Sequence, residues 1–432
     1  MPHFLDTSAP DFTQAFERFL SLKREAEADV DGVVAEIIAD VRARGLAPVL
    51  ELTSRFDRLD LTADTLAFSE DEIDAAIADV PEAERAALEL AAARIHAYHQ
   101  RQMPADERWT DDDGVELGWR WTPVDAAGLY VPGGLASYPS SVLMNAVPAR
   151  VAGVQRLIMC APTPDGTANP LVLLAARLAG VDTIYRIGGA QAVASMAYGA
   201  GPIAPVDKIT GPGNAFVAAA KRRVFGHVGI DMIAGPSEVL VIADGTQDPE
   251  WIAMDLMAQA EHDESAQSIL ITDDPSFAKA VAGAVDRLLQ TLERRNIAAA
   301  SWRDFGGIIT VGDLNEAPAL ANRIAAEHLQ IVTQEPDALA SEIRHAGAIF
   351  LGASTPEAIG DYVGGPNHVL PTAGSARFSS GLSVLDFLKR TTISSVPPHA
   401  LKRIGPAAVT LAKSESLEAH GLSVSRRLER LN

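Results

Sequence analysis

Apolar residues recur at helical spacing through the first hundred positions. Between Phe12 and Asp40 they fall at Phe16, Phe19 and Leu20, then at Val30, Val33, Val34 and Ile37, with Glu, Arg and Asp between them. That is the stripe of an amphipathic helix. In Arg44-Gly45-Leu46-Ala47-Pro48, Gly and then Pro stand where a helix stops. A second long amphipathic stretch, rich in Ala, Glu and Arg, runs from Asp71 to Gln102. Both segments read as scaffold.

From Gly128 the pattern changes. Gly128-Leu129-Tyr130-Val131 is a short strand that breaks into Pro132-Gly133-Gly134, and Leu157-Ile158-Met159-Cys160-Ala161 is an apolar run ended by Pro162. A continuous apolar run of that length fits a parallel strand buried on both faces. Asn169 to Ala179 is helical, and Thr183-Ile184-Tyr185-Arg186-Ile187 is a further strand running into Gly188-Gly189. The alternation then repeats: strands at Ser237 to Ala243 and Ser268 to Thr272 flank a helix over Pro249 to Glu261, and another helix runs from Ser276 to about Arg295. Strands alternating with helices imply right-handed βαβ units and a mostly parallel sheet. Two such blocks, 128–236 and 237–380, predict two related α/β domains. The last fifty residues look helical and are too few for a core of their own, so they are expected to pack on a neighbour, in an oligomer on another subunit.

Composition narrows the function. The chain has 432 residues, 47% hydrophobic and 22% charged, with 36 Lys+Arg against 57 Asp+Glu and a formal net charge of −21. So acidic a surface repels phosphate backbones and anionic lipid, which argues against nucleic acid and membrane as partners. The one cysteine, Cys160, excludes an intramolecular disulfide and any Cys-only metal site. It sits among Ile158, Met159 and Ala161, the setting of a buried strand residue rather than a nucleophile. No apolar run reaches the ~18–20 residues of a membrane span. Met1-Pro2-His3-Phe4-Leu5-Asp6 lacks the basic and apolar regions of a signal peptide. A cytoplasmic location is expected.

Among chemical motifs, a phosphate-binding Gly-x-x-x-x-Gly-Lys loop and a His-Glu-x-x-His helix are missing. Gly211-Pro212-Gly213-Asn214-Ala215-Phe216 fails the usual dinucleotide fingerprint, because Phe stands where close helix packing wants Gly or Ala. Three Gly-rich turns nevertheless follow predicted strands: Tyr130 to Gly134, Gly188 to Gln191 and Gly211 to Asn214. Glycine lets a backbone approach a ligand closely, and Tyr130, Gln191 and Asn214 each add a hydrogen-bonding side chain. Together they point to a nucleotide cleft.

Of the ten histidines, His3, His96, His99, His227 and His345 lie near the terminus, on charged helices or beside a basic run, and read as solvated surface. His399 follows Pro397-Pro398 and reads as loop. His262, His328, His368 and His420 sit among small or acidic residues. Gln259 and His262 lie one turn apart where a helix ends. Glu327 and His328 are adjacent, and in a helix would point ~100° apart. Asp361 lies in the polar Gly360 to His368 segment, and Glu415 and His420 lie in the tail. Imidazole with carboxylate oxygen, and an amide oxygen as a less usual ligand, suits Zn²⁺ or a similar divalent ion.

These segments resemble the histidinol dehydrogenase family over essentially the whole chain. The similar stretches are Gly128-Leu-Tyr-Val-Pro-Gly-Gly134, Tyr138-Pro-Ser-Ser-Val-Leu-Met-Asn145, Gly188-Gly-Ala-Gln-Ala192, Gly211-Pro-Gly-Asn-Ala-Phe216 and Ala234-Gly-Pro-Ser-Glu-Val-Leu240. Gln259-Ala-Glu-His-Asp263, Ala326-Glu-His-Leu329, Gly360 to Pro371 and Glu415-Ser-Leu-Glu-Ala-His420 follow in the same order. Ala326 stands where the family pattern has Pro, Leu135 where Thr is usual, and Ser416 and Gly421 differ around the tail motif. None of these removes a ligand or base.

The resemblance implies an NAD-dependent four-electron oxidation of L-histidinol to L-histidine through L-histidinal, with one Zn²⁺ per subunit. It implies that Gln259, His262, Asp361 and His420 bind the metal. Ser237, Gln259, His262, His328, Asp361, Glu415 and His420 would surround the substrate. Tyr130, Gln191 and Asn214 would contact NAD, and Glu327 and His328 would be the acid/base pair. It further implies a homodimer whose C-terminal tail reaches the partner's site. The expected architecture is two Rossmann-like parallel-sheet domains without the usual G-x-G-x-x-G turn. The expected division is an N-terminal helical arm (1–24), a first α/β domain with the zinc and acid/base residues (25–127 plus 237–380), a second with the NAD turns (128–236) and a dimerisation tail (381–432). A relative oxidising another polar alcohol, such as a dihydroxypropane sulfonate, would share the machinery but differ in the tail and in the Gly364 to His368 loop.

Overall fold

The computed structural model describes residues 2–22, 30–133, 138–233 and 235–431. Gly134 and Leu135, in and beside the first Gly-rich turn, and Ala234 of the Ala-Gly-Pro-Ser motif lie outside the described residues.

Two parallel sheets carry the fold. The six-stranded sheet runs His3–Asp6, Gly307–Thr310, Gln267–Thr272, Glu238–Ala243, His328–Val332, Ala348–Leu351, every pair parallel. The five-stranded sheet runs Thr183–Tyr185, Arg156–Cys160, Ala126–Tyr130, Lys208–Thr210, Gly229–Ile230, again all parallel. In each, the first strand of the βαβ block is central and the chain winds outward both ways. That is the doubly wound α/β architecture, with one switch point between Glu238–Ala243 and His328–Val332 and another between Ala126–Tyr130 and Lys208–Thr210.

The central strands are buried throughout, and their side chains alternate between two cores. Leu129, Leu157 and Met159 face one cluster while Tyr130, Ile158 and Cys160 face the other. Val239 and Val241 likewise oppose Leu240 and Ile242. A strand covered on both faces has no polar side to show, which is why these runs read as continuously apolar.

The helices between 31 and 100 pack differently from the expected division. Val34, Ile38, Val41 and Val49 join the cluster of Tyr130 and Cys160, and Ile73, Ala91 and Ile95 join that of Leu129 and Met159. They cover the five-stranded sheet, not the six-stranded one. An apolar stripe dictates that a face is buried, not which of two sheets buries it. The stripes are also broken: Glu70–Ala78 and Glu82–Gln100 are separate helices with Pro81 before the second. Gly45, at φ +65°, ends Asp31–Arg44 but Leu46–Asp57 resumes at once, with Pro48 in its first turn, where a missing N–H costs nothing. The N-terminal arm opens as the edge strand His3–Asp6 before the helix Phe12–Ser21, whose Phe16 and Phe19 enter the six-stranded core.

The C-terminal segment is not wholly helical either. Leu388–Ser395 pairs antiparallel with Glu116–Pro123, which also pairs with Glu107–Thr110. Just before it, Leu382, Val384 and Phe387 are buried in the five-stranded domain's core. The helices Pro398–Ser414 and Glu418–Leu431 pack on each other. Arg403, in the first of them, pairs with Asp113 at 2.7 Å. Leu411, Leu417 and Leu422 stay exposed in the single chain. Among the described residues no helix is long and apolar enough to cross a membrane.

Candidate active site

Glu327 and His328, the expected acid/base pair, sit at the amino end of the six-stranded sheet. The helix Ala317–Ile324 ends at Ala325, in the left-handed region at φ +51°. The chain turns, and His328 opens the strand His328–Val332. Glu327 and His328 therefore flank a strand start rather than lying on a helix. The left-handed residue before them ends the helix one turn too early for both. Each is 6% exposed or less, and one residue of the central strand holds them together. The Glu238 N–H donates to Glu327 Oε2 at 3.1 Å, and the Glu238 carbonyl lies 3.0 Å from His328 Nδ1. A carbonyl only accepts, so Nδ1 carries the proton and Nε2 keeps its lone pair. His328 Nε2 is buried without a hydrogen-bond partner. Burial pushes this histidine down to about 4, against the opposing pull of Asp361.

Glu357, which no sequence motif marks, stands beside it. Its Oε1 is 3.4 Å from His328 Nδ1, and its Oε2 is buried without a hydrogen-bond partner. Burial, with Asp361, Glu327 and Asp255 adding to it, drives its carboxyl well above the usual range. The available signal was its spacing, since Glu357 and Asp361 are four apart in the helix Glu357–Tyr362 and share a face. Ligand atoms of His328, Glu357 and Asp361 all lie within 4.8 Å of one another, close enough to hold a metal ion.

Of the expected metal ligands, Asp361 is in this cluster and His262 is near enough to depress both His328 and His368. Gln259, in the last turn of Pro249–Ala260, is 1% exposed, and its Oε1 is buried without a hydrogen-bond partner. Ser237 directly precedes the central strand, its carbonyl accepting from the Gln267 N–H at 3.0 Å. Glu415 and His420 are exposed on the tail hairpin, which the described contacts of the single chain do not bring to the cluster.

The three Gly-rich turns converge at the carboxyl ends of the five-stranded sheet, beside its switch point, where α/β sheets open a ligand crevice. Tyr130 ends the central strand. Its phenol is pushed up to about 12 by burial, and its oxygen accepts from the Gly189 N–H at 3.1 Å. Gln191 lies in the first turn of Gly189–Tyr198, 4% exposed. Gly211 has φ +115°, and a Cβ there would run into the Tyr130 carbonyl oxygen. Asn214 caps Ala215–Val224, accepting from the Phe216 and Val217 N–H groups at 3.1 and 3.2 Å.

The loop 363–368 ties the two halves together. Arg94 donates to the Val363 and Gly364 carbonyls, Asn367 Nδ2 donates to the Met144 carbonyl at 2.6 Å, and His368 Nε2 is 3.4 Å from Ser141 Oγ. Those partners belong to Glu82–Gln100 and Pro139–Ala152, helices of the five-stranded domain. His99, expected on the surface, is fully buried, with Nδ1 2.8 Å from the Ile95 carbonyl and Nε2 3.3 Å from Asn367 Nδ2. It faces this loop, which covers what would have been a solvated helix face.

Comparison with known proteins agrees with this picture. The sequence model of the family described as histidinol dehydrogenase matches residues 21–428. The chain is 72% identical to the histidinol dehydrogenase of Ruegeria pomeroyi over 432 residues, covering 100% of both chains. It is 70% identical to that of Cereibacter sphaeroides, again over 100% of both. A crystal structure of histidinol dehydrogenase from Elizabethkingia anophelis superposes with a TM-score of 0.95 at 35% identity, covering 100% of this chain and 99% of that one.

Proposed function

The chain belongs to the histidinol dehydrogenase family, oxidoreductases of histidine biosynthesis, and from that premise we propose that it oxidises L-histidinol to L-histidine in two NAD-dependent steps. The observation that carries the mechanism is the pair Glu327–His328. Both are held by the peptide groups of Glu238, and His328 presents an unpartnered Nε2.

Alcohol oxidation needs a base that removes the hydroxyl proton as hydride departs. A buried histidine kept neutral by desolvation, with its tautomer fixed, is suited to that role at Nε2. Water must then add to the aldehyde before a second hydride can leave. The adjacent Glu327 carboxylate is the group we assign to take that water's proton. NAD, when bound, supplies the hydride acceptor. Tyr130, Gln191 and Asn214 at the switch-point crevice are the residues we assign to it.

The donor set fits zinc on its chemistry. Gln259 offers a buried amide oxygen lacking a hydrogen-bond partner, His262 an imidazole and Asp361 a carboxylate, with His420 as the fourth ligand. Held by these residues, Zn²⁺ would supply a template for positioning the substrate. Because His420 and Glu415 lie on an exposed tail hairpin with uncovered leucines, we assign them to the site of a partner subunit in a homodimer. The five-stranded domain is the proposed NAD domain, and the six-stranded one carries metal and acid/base residues. The biosynthetic role is the basis for placing the enzyme in the cytoplasm.

Metal content tests this assignment. The wild type should bind one zinc per subunit and lose turnover on chelation. Gln259→Ala with His262→Asn should lose both metal and activity while staying folded. Full metal content and activity in that double variant would overturn the ligand set.

A further inference from the structure

The turn Gly211 to Asn214 is held by a buried ion pair. Lys221, in the last turn of Ala215–Val224, and Asp231, just past the strand Gly229–Ile230, form a salt bridge with side chains 3% and 1% exposed. Both also grip the same residue. The Gly211 N–H donates to Asp231 Oδ2 at 2.8 Å, and Lys221 Nζ donates to the Gly211 carbonyl at 2.9 Å. Gly211 is the residue whose φ of +115° lets the turn pass against the Tyr130 backbone.

A buried charge pair is a poor device for stability alone, because desolvating both ions offsets most of their attraction. Here the pair lies beneath a backbone that must sit close to another strand end, and its two charges take the two peptide polar groups flanking the special φ. A carboxylate on the N–H and an ammonium on the carbonyl fix the orientation of that residue and, three residues on, the placing of Asn214 at the helix start. We infer that Lys221 and Asp231 are positioning residues for the dinucleotide. They do not touch it, and they act by holding the Gly211–Asn214 turn in its binding shape. The inference rests on the reading of that turn as an NAD site.

The test is steady-state kinetics of the full-length, metal-loaded enzyme, varying NAD and L-histidinol separately. Removing one partner alone would leave a buried charge unpaired, so the first variant is Lys221→Met with Asp231→Asn, neutral throughout. It should raise KM for NAD about tenfold or more, with KM for L-histidinol and thermal midpoint close to wild type. Lys221→Arg, which keeps a paired charge but moves its donors, is the second variant and should raise KM for NAD severalfold. Asn214→Ala serves as the control on the site itself. If Asn214→Ala weakens NAD binding while both ion-pair variants bind it normally, the pair is merely structural and the inference fails. If Asn214→Ala leaves NAD binding unchanged as well, the reading of the turn fails and the inference falls with it.

Discussion

A histidine at its ordinary pKa of about 6.5 is part-protonated near neutrality, and free rotation leaves its tautomer undefined. His328 escapes both conditions. Burial keeps it neutral, and the Glu238 carbonyl takes Nδ1–H, so the lone pair at Nε2 is available at any physiological pH. Replacing it with Gln should lower kcat by roughly 10²–10⁴-fold, the usual contribution of a positioned base, with zinc content retained, as steady-state assays and metal analysis would show. Glu357 gives a second residue-scale expectation. Its folded-state carboxyl lies well above the ordinary value of 4.5, so folding takes up a proton over that window. Its contribution to stability is present below the ordinary value and is lost as pH rises toward the raised one. Glu357→Gln cannot titrate, so in metal-free protein its stability relative to wild type should improve as pH rises above the ordinary carboxyl value of 4.5. Denaturant titrations of both proteins would measure it, and a flat difference would mean that Glu357 ionises normally.

Residue identities were legible in the sequence where they lay within a motif, as with Glu327 and His328. Glu357 was not, because a Pro-Glu pair at a helix start looks like ordinary N-terminal charge complementing the dipole. His99 is hidden for a related reason: its own helix is charged, and it is covered by residues distant in the chain, Asn367 of the loop 363–368 among them.

At the scale of elements, the buried parallel strands were the plainest signal, since Leu157 to Cys160 and Val239 to Ile242 have apolar neighbours on both faces. The strand Leu388–Ser395 could not be seen that way. Its Lys389-Arg390-Thr391-Thr392 core is exposed, so no alternation marks it. The segment before it is anchored through Phe387, fully buried against the five-stranded domain. Phe387→Ala should cost about 3–5 kcal/mol of stability, read as a lower denaturation midpoint, and it should loosen the root of the tail. A cost below about 1 kcal/mol would place the anchor elsewhere.

In the whole molecule the two sheets present opposite ends to the candidate sites. The five-stranded sheet offers its carboxyl ends and the six-stranded sheet its amino ends, with the loop 363–368 bolted between them. The helices from 31 to 100 cover the five-stranded sheet, which no stripe could announce, because both sheets offer apolar faces. The tail exposes its leucines and His420, and the proposed assignment puts that His420 in a partner's site. Mixing His328→Gln subunits with His420→Asn subunits, each inactive alone, tests this by complementation. With exchanged tails, the mixed dimer holds one intact site and activity returns. Without exchange, neither site is intact and the mixture stays inactive.

On the proposed function, one site performs both oxidations with Glu327 and His328 side by side. The most direct measurement is the NADH formed per L-histidinol consumed, followed by absorbance to completion. Two NADH per substrate with L-histidine as product is the expected result. Glu327→Gln should fall toward one, with L-histidinal accumulating. One NADH per substrate from the wild-type enzyme would overturn the two-step assignment, because the carboxylate beside His328 would then have no second step to serve.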